Sequence, residues 1–132
     1  MKRHISFIIV HCSAADINGW HREKGWHGIG YHYVVRRDGS IELGRPLEVA
    51  GAHCVGHNSH SIGICYEGGL DANGEEADTR TPEQKLSLRK LLEELHQRFP
   101  KALIVGHHDL NPAKGCPCYD VVSEYIDLEP KV

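Results

Sequence analysis

The sequence lacks any long apolar segment. Its apolar stretches fall far short of the roughly 18 residues that a membrane-spanning helix requires, so we expect no membrane partner. The start, MKRHISFIIVHC, combines two basic residues with a short apolar run, but no small-residue cleavage site follows it cleanly. We interpret this run as a β-strand and not as a signal peptide, and therefore expect synthesis in the cytoplasm.

The sequence also lacks an excess of positive charge. Fifteen Lys and Arg side chains stand against 18 Asp and Glu side chains, which gives a formal net charge of −3. No basic stripe runs along any segment, although a protein that binds a polyanion normally carries one. We therefore expect no nucleic-acid partner.

Cysteine is too scarce and too irregularly spaced for a disulfide framework. The chain has five cysteines, an odd number. Small secreted domains that depend on disulfides usually carry an even number at regular spacings. The pattern favours a reducing compartment of synthesis, so a protein that acts outside the cell would need another route of release.

The chain of 132 residues has the length of one domain, which we place at 1–132. Apolar runs predict strands at 5–10, 62–66 and 102–105, of which the first and last are expected to be buried. Segments 31–37 and 40–43 flank Asp38-Gly39 and predict a hairpin with a two-residue turn. Strand alternation then places Tyr31, Tyr33 and Val35 on one face.

The strongest helix signal begins at Thr81. This residue is a good N-cap, Pro82 suits the first helical position, and Gln84 completes a capping box. An apolar stripe follows at helical spacing and ends before Pro100; it consists of Leu88, Leu91, Leu92, Leu95 and Phe99. Two shorter helices are predicted at 18–24 and 121–126. The mixture of strands and helices indicates an α/β fold with a partly antiparallel sheet.

The stretch HHDLNPAKGCPCYD, residues 107–120, concentrates histidine, lysine and cysteine. Structural zinc sites usually use cysteine pairs separated by two to four residues, and thioredoxin-like redox pairs use two. Cys116 and Cys118 are separated only by Pro117, which restricts how the backbone could wrap both sulfurs around one ion. One of the two cysteines is therefore a better candidate ligand than both.

Two predicted strands each end at a histidine, His11 and His107, and Cys116 follows nine positions after the second. If the strands are neighbours in the sheet, both imidazoles and one thiolate converge. Three protein ligands are typical of catalytic zinc, which keeps its fourth position for water or substrate. The alternative is that both histidines are ordinary strand-end residues, because a chain with 11 histidines contains some coincidences.

These motifs together resemble a known family, the zinc N-acetylmuramoyl-L-alanine amidases of the phage lysozyme type, which are related to peptidoglycan recognition proteins. The resemblance covers most of the chain, and its six pieces occur in the family's order and spacing. They are IIVHCSA (8–14), WHREKGW (20–26), GYHYVVRRDG (30–39), GAHCVGHNSHSIGI (51–64), TPEQ (81–84) and HHDLNPAKGCPCYD (107–120).

The resemblance implies a central mixed β-sheet flanked by helices, one zinc ion and a groove for the peptidoglycan stem peptide. By motif, it implies the zinc ligands His11, His107 and Cys116, the catalytic residues Tyr31 and Lys114, and the substrate-binding residues His53 and Asn58. His32 and His108 are expected to support the site or to lie on the sheet surface. Cys118 departs from the family, whose phage members often carry serine there. Cys116 matches the family's ligand cysteine better than Cys118 does, because a lysine precedes it by two positions and proline follows it.

The function implied is hydrolysis of the amide bond between N-acetylmuramic acid and L-alanine by a monomeric phage or prophage endolysin. It would bind the muramyl group and the stem peptide and act on the cell wall after release. Two alternatives remain at this point: a peptidoglycan-binding module without activity, and an interaction protein inside the cell. The chain carries the family's tyrosine, lysine and cysteine at Tyr31, Lys114 and Cys116, and this favours the enzyme.

Overall fold

The computed structural model describes residues 3–13, 30–111 and 115–129. The predicted helix at 18–24 and the predicted catalytic residue Lys114 lie outside these ranges. The five strands, in chain order, are β1 (Phe7–Cys12), β2 (Tyr33–Val35), β3 (Ile41–Leu43), β4 (Ser61–Tyr66) and β5 (Leu103–Gly106). The helices are α1 (Pro82–Arg98), α2 (His107–Leu110) and α3 (Val121–Glu124), and 3₁₀ turns cover Asn58–His60 and Ile126–Leu128.

The strands form one mixed sheet in the order β3-β2-β4-β1-β5. β1 pairs in parallel with both β4 and β5, β2 pairs in parallel with β4, and only the β2–β3 hairpin is antiparallel. The predicted α/β class with a partly antiparallel sheet is therefore confirmed. No helix within the described ranges has the length and apolar character needed to cross a bilayer.

The β1–β5 pairing positions the two candidate histidine ligands. Val10 lies opposite Gly106 in a parallel register, so His11 and His107 follow at the same edge of the sheet. Parallel strands bring their carboxyl ends together in this way. β1 is an interior strand, and Ile8, Ile9 and Val10, which alternate between its two faces, are fully buried, as predicted from its continuous apolar run.

One face of the sheet packs against α1 and the C-terminal helical segment. Ile8 and Val10 of β1 belong to this core together with the leucines of α1, whereas Ile9 and His11 alternate onto the opposite face. The predicted helical stripe is confirmed: Leu88, Leu91, Leu92 and Leu95 are buried, and Phe99 is half-buried against the core. The predicted terminal helix is also present, as α3 and the 3₁₀ turn after it.

Three strand predictions need correction. The hairpin is closed by three residues, 37–39, because the Arg36 N–H donates to the Ser40 carbonyl. β5 is buried on one face only, because it lies at the sheet edge and Leu103 is 44% exposed. β1 also begins later than predicted and extends through His11, so this histidine lies within the strand.

The prediction that Tyr31, Tyr33 and Val35 share one face is wrong for Tyr31. Tyr33 and Val35 pack with the core that faces α1, whereas the Tyr31 ring lies 5.1 Å from the His11 ring on the other side. β2 begins only at Tyr33. Strand alternation therefore does not extend back to Tyr31.

The capping box at the start of α1 also ties this helix to the sheet. The Thr81 side chain accepts from the Gln84 N–H, and the Gln84 side chain accepts from the Thr81 N–H, as predicted. The Gln84 amide nitrogen also donates to the carbonyl oxygens of Glu67, at 2.9 Å, and Val35, at 3.3 Å. Gln84 is fully buried, so these carbonyls would lose a partner without it.

Replacing Gln84 by glutamate should lower the free energy of unfolding by about 1–3 kcal/mol, the cost of leaving buried groups unsatisfied. A carboxylate still accepts from the Thr81 N–H but cannot donate to the two carbonyls. Urea unfolding of the variant tests this, with Glu83→Gln, an exposed change on the same turn, as the control. Equal stability of the two variants would contradict the role given to Gln84.

Candidate metal centre

Three of the predicted residues come together at the edge of the sheet. His11, His107 and Cys116 each offer a ligand atom, and these atoms all lie within 4.8 Å of one another. Within residues 3–13, 30–111 and 115–129, this is the only group of three or more His, Cys, Asp or Glu side chains with such spacing. His11 is buried, whereas His107 and Cys116 are half-buried. The predicted convergence of two strand-end histidines and a cysteine is present.

Hydrogen bonds hold the cysteine loop against β1 and α2. The Cys12 N–H donates to the Cys116 sulfur at 2.9 Å, and the His108 N–H donates to the Cys116 carbonyl at 2.8 Å. The next carbonyl, of Pro117, accepts from the buried Tyr66 hydroxyl at 2.5 Å. These contacts fix the position of the Cys116 sulfur at the end of β1, next to His11.

Cys118 lies in a different environment from Cys116. Its sulfur is 3.8 Å from the Cys12 sulfur and 3.4 Å from the Gly69 carbonyl oxygen. Burial raises the pKa of the Cys118 thiol to about 12. Among the described residues, the three-ligand group includes Cys116 and not Cys118. The geometry thus supports the choice between the two cysteines made from the lysine and proline around Cys116.

Two histidines at this site, His11 and His53, favour their neutral form. Burial lowers the pKa of His11 well below its ordinary value, and the nearby His53 and His107 lower it further. Burial likewise lowers the pKa of His53 to about 3. A metal binds only a deprotonated imidazole nitrogen, so the lowered pKa of His11 keeps this candidate ligand able to bind a metal at neutral pH.

Tyr31 lies beside this cluster, as expected of a residue acting at the site. Its ring centroid is 5.1 Å from that of His11 and 6.2 Å from that of His53. Burial raises the pKa of the Tyr31 hydroxyl, so the group keeps its proton and can donate a hydrogen bond. This position is compatible with the predicted catalytic role of Tyr31.

His53 and Asn58 make contacts that the sequence did not indicate. The Asn58 side-chain oxygen accepts from the N–H groups of His53 and Cys54, both at 2.9 Å, and so shapes the loop. His53 Nδ1 lies 2.9 Å from His11 Nε2. The two histidines are 42 positions apart in the chain, and a contact over that separation cannot be predicted from helix or strand periodicity.

The two remaining candidate histidines differ in role. His32 is buried; its Nδ1 accepts from the Gly63 N–H at 3.0 Å, and its Nε2 lies 2.8 Å from the Val49 carbonyl oxygen. His32 is therefore a buried histidine whose two ring nitrogens both have hydrogen-bond partners, and its ring centroid lies 6.0 Å from that of His53. His108 is half-buried beside Asp109, outside the three-ligand group.

The comparison with known proteins agrees with this geometry. Residues 1–119 match the family N-acetylmuramoyl-L-alanine amidase. The chain belongs to this family. The endolysin of Enterobacteria phage K11 is 42% identical over 129 residues, which cover 91% of this chain and 85% of the endolysin.

Solved structures of related proteins share the fold. The N-acetylmuramoyl-L-alanine amidase LysC from Clostridium intestinale URNW has 32% identity and a TM-score of 0.74, covering 95% of this chain and 84% of LysC. The ectodomain complex of the peptidoglycan recognition proteins LCa and LCx, bound to tracheal cytotoxin, has 26% identity and a TM-score of 0.69, covering 94% and 82%. The predicted family, fold and enzyme class are confirmed, and the amidase family is generally zinc-dependent.

Proposed function

We propose that the protein hydrolyses the amide bond between N-acetylmuramic acid and L-alanine of peptidoglycan, using one zinc ion held by His11, His107 and Cys116. The observation that carries this proposal is the convergence of these three donors within 4.8 Å. Two imidazole nitrogens and one cysteine sulfur form a donor set that suits zinc, and three protein ligands are the number found in catalytic sites. When bound, zinc lowers the pKa of a coordinated water toward ~7 and polarises the carbonyl of the scissile bond.

The side chains around the cluster would perform the remaining steps. The Tyr31 hydroxyl, beside His11, is placed to donate a hydrogen bond to the substrate as negative charge develops on its carbonyl oxygen. Lys114, two positions before Cys116 in the chain, would add a positive charge that stabilises the same oxygen. Preorganised donors of this kind contribute most when they act on the transition state.

The substrate groups in this proposal are the muramyl group and the stem peptide. His53 is half-buried at the rim of the cluster, where it could also contact the stem peptide. Asn58 would act through the loop, because its oxygen already accepts two backbone N–H groups. Similarity to a phage endolysin supports action on the cell wall after release of the protein from the cell that made it.

Mass spectrometry of the products from defined muropeptides tests the reaction. We expect a free stem peptide with an N-terminal L-alanine and an intact muramyl sugar. A chelator should stop the reaction, and added zinc should restore it. Cleavage of another bond would contradict the amidase assignment, activity in a zinc-free sample would contradict the metal, and binding without cleavage would favour a recognition module.

A further inference from the structure

We propose that His53 is a positioning residue that orients His11 for metal binding. His53 Nδ1 lies 2.9 Å from His11 Nε2. In this proposal the His11 Nε2–H donates to His53 Nδ1, which leaves His11 Nδ1 to face the ion. The inference rests on the proposed function, because it takes His11 to be a metal ligand. It assigns His53 a role in the metal site besides any contact with substrate.

The contacts of His53 accommodate the tautomer that this proposal requires. Its second nitrogen, Nε2, lies 3.4 Å from the hydroxyl oxygen of Ser61, which is fully buried. With its hydrogen on Nε2, His53 can donate to Ser61 and accept from His11 through Nδ1. The ring planes of His53 and His11 are nearly perpendicular, at 87°, and with 2.9 Å between the two nitrogens this arrangement permits an N–H of one ring to point at the nitrogen lone pair of the other.

Two glycines, Gly51 and Gly63, make room for the His53 ring against the sheet. A Cβ atom at Gly63 of β4 would lie 2.6–2.8 Å from three atoms of this ring, and one at Gly51 would lie 2.6 Å from its Cδ2. Side chains never approach this closely, so only glycine at both positions leaves room for the imidazole. The ring therefore occupies a recess in the sheet face next to His11.

Hydrogen bonds also hold the backbone at His53. Asn58 accepts from the His53 N–H and from the next N–H along the chain. The loop is thereby fixed at the residue that carries the ring. Asn58, His53 and His11 form a continuous hydrogen-bonded path to the metal cluster.

His53 acts through His11 and is not itself a member of the cluster. Among the described residues, the group of donors within 4.8 Å contains His11, His107 and Cys116 but not His53. A ligand imidazole whose other nitrogen is hydrogen-bonded keeps one tautomer and one ring orientation. Loss of such a partner typically costs about 10–100-fold in metal affinity.

The test measures the zinc dissociation constant of purified variants by competition with a chromophoric chelator. His53→Ala should weaken zinc binding by about 10–100-fold. His53→Asn places an amide oxygen near the former Nδ1 position and should recover most of this loss, whereas His53→Gln, whose amide lies near the Nε2 position, should not. The absorption spectrum of the cobalt-substituted protein should change in His53→Ala and return toward wild type in His53→Asn.

A second variant tests the recess independently. Gly63→Ala should displace the His53 ring and weaken zinc binding about as much as His53→Ala does. In the His53→Ala background the ring atoms that lie nearest to the added methyl group are absent, so Gly63→Ala should cause little further loss of affinity. Such non-additivity is the signature of two residues acting through one contact.

Unchanged zinc affinity in His53→Ala, with only KM for muropeptide raised, would overturn the proposal and leave His53 as a substrate contact. Equal affinities of the Asn and Gln variants would also overturn it; this pair carries the test if the alanine variant does not fold. Failure of the metal assignment itself would be distinct, because wild-type protein would then bind no zinc or would bind it equally after Cys116→Ser.

Discussion

Cys116→Ser is expected to abolish zinc binding and to lower turnover of purified cell wall by about 10³-fold or more, since the metal supplies both the nucleophile and the polarisation of the carbonyl. Serine has nearly the shape of cysteine, but its hydroxyl does not ionise at neutral pH and binds zinc poorly. Zinc content per chain, measured by atomic absorption after gel filtration, should fall from about one to about zero. Turbidity loss of a cell-wall suspension reports the activity.

Cys118→Ser is the matched control, two positions away in the same loop. The Cys118 sulfur contacts Cys12 and the Gly69 carbonyl and is outside the three-ligand group of the described residues. We expect zinc content near one per chain and turnover within about twofold of wild type. If Cys118→Ser removed the metal and Cys116→Ser kept it, the ligand assignment would be reversed.

Lys114→Ala and Tyr31→Phe should each lower kcat by about 10² or more while zinc stays bound. Tyr31→Phe removes only the hydroxyl and keeps the ring beside His11, so packing of the site is preserved. Lys114→Ala removes the charge that would stabilise the developing oxyanion. Because both groups act on the transition state, kcat should fall more than KM rises.

Two neighbouring residues provide the controls for these variants. Tyr33→Phe removes a hydroxyl on the side of the sheet that faces α1, and Lys101→Ala removes a charge from an exposed position just before β5. Both should keep wild-type turnover and zinc content. Normal kcat in Tyr31→Phe or Lys114→Ala would remove that residue from the catalytic machinery, and loss of zinc would show a structural effect instead.

Local patterns in the sequence predicted much of the fold. The capping box at Thr81 and the leucine stripe of α1 depend on residues three or four positions apart, and both are present as expected. The apolar run of β1 similarly indicated burial on both faces. Patterns of this kind are readable because helix and strand periodicity directly determine which side chains share a face.

The details of the β-strands were less predictable from the same patterns. Tyr31 was placed on the wrong face because alternation holds only inside a strand, and β2 begins two residues later, at Tyr33. The exposure of Leu103 depends on the edge position of β5, which follows from strand order. Strand order is set by packing across the whole chain, so it cannot be predicted from the sequence of one strand.

By itself, the sequence determined which donors were available: two histidines that follow apolar runs, a cysteine in the loop after the second, and the tyrosine and lysine that belong to the family motif. Only the tertiary structure decided that the two histidines and the cysteine meet, because the parallel register of Val10 with Gly106 joins segments nearly a hundred residues apart. It also decided that His53 rests in a glycine-lined recess against His11. Such contacts arise from packing between distant strands and loops, for which no short-range periodicity exists.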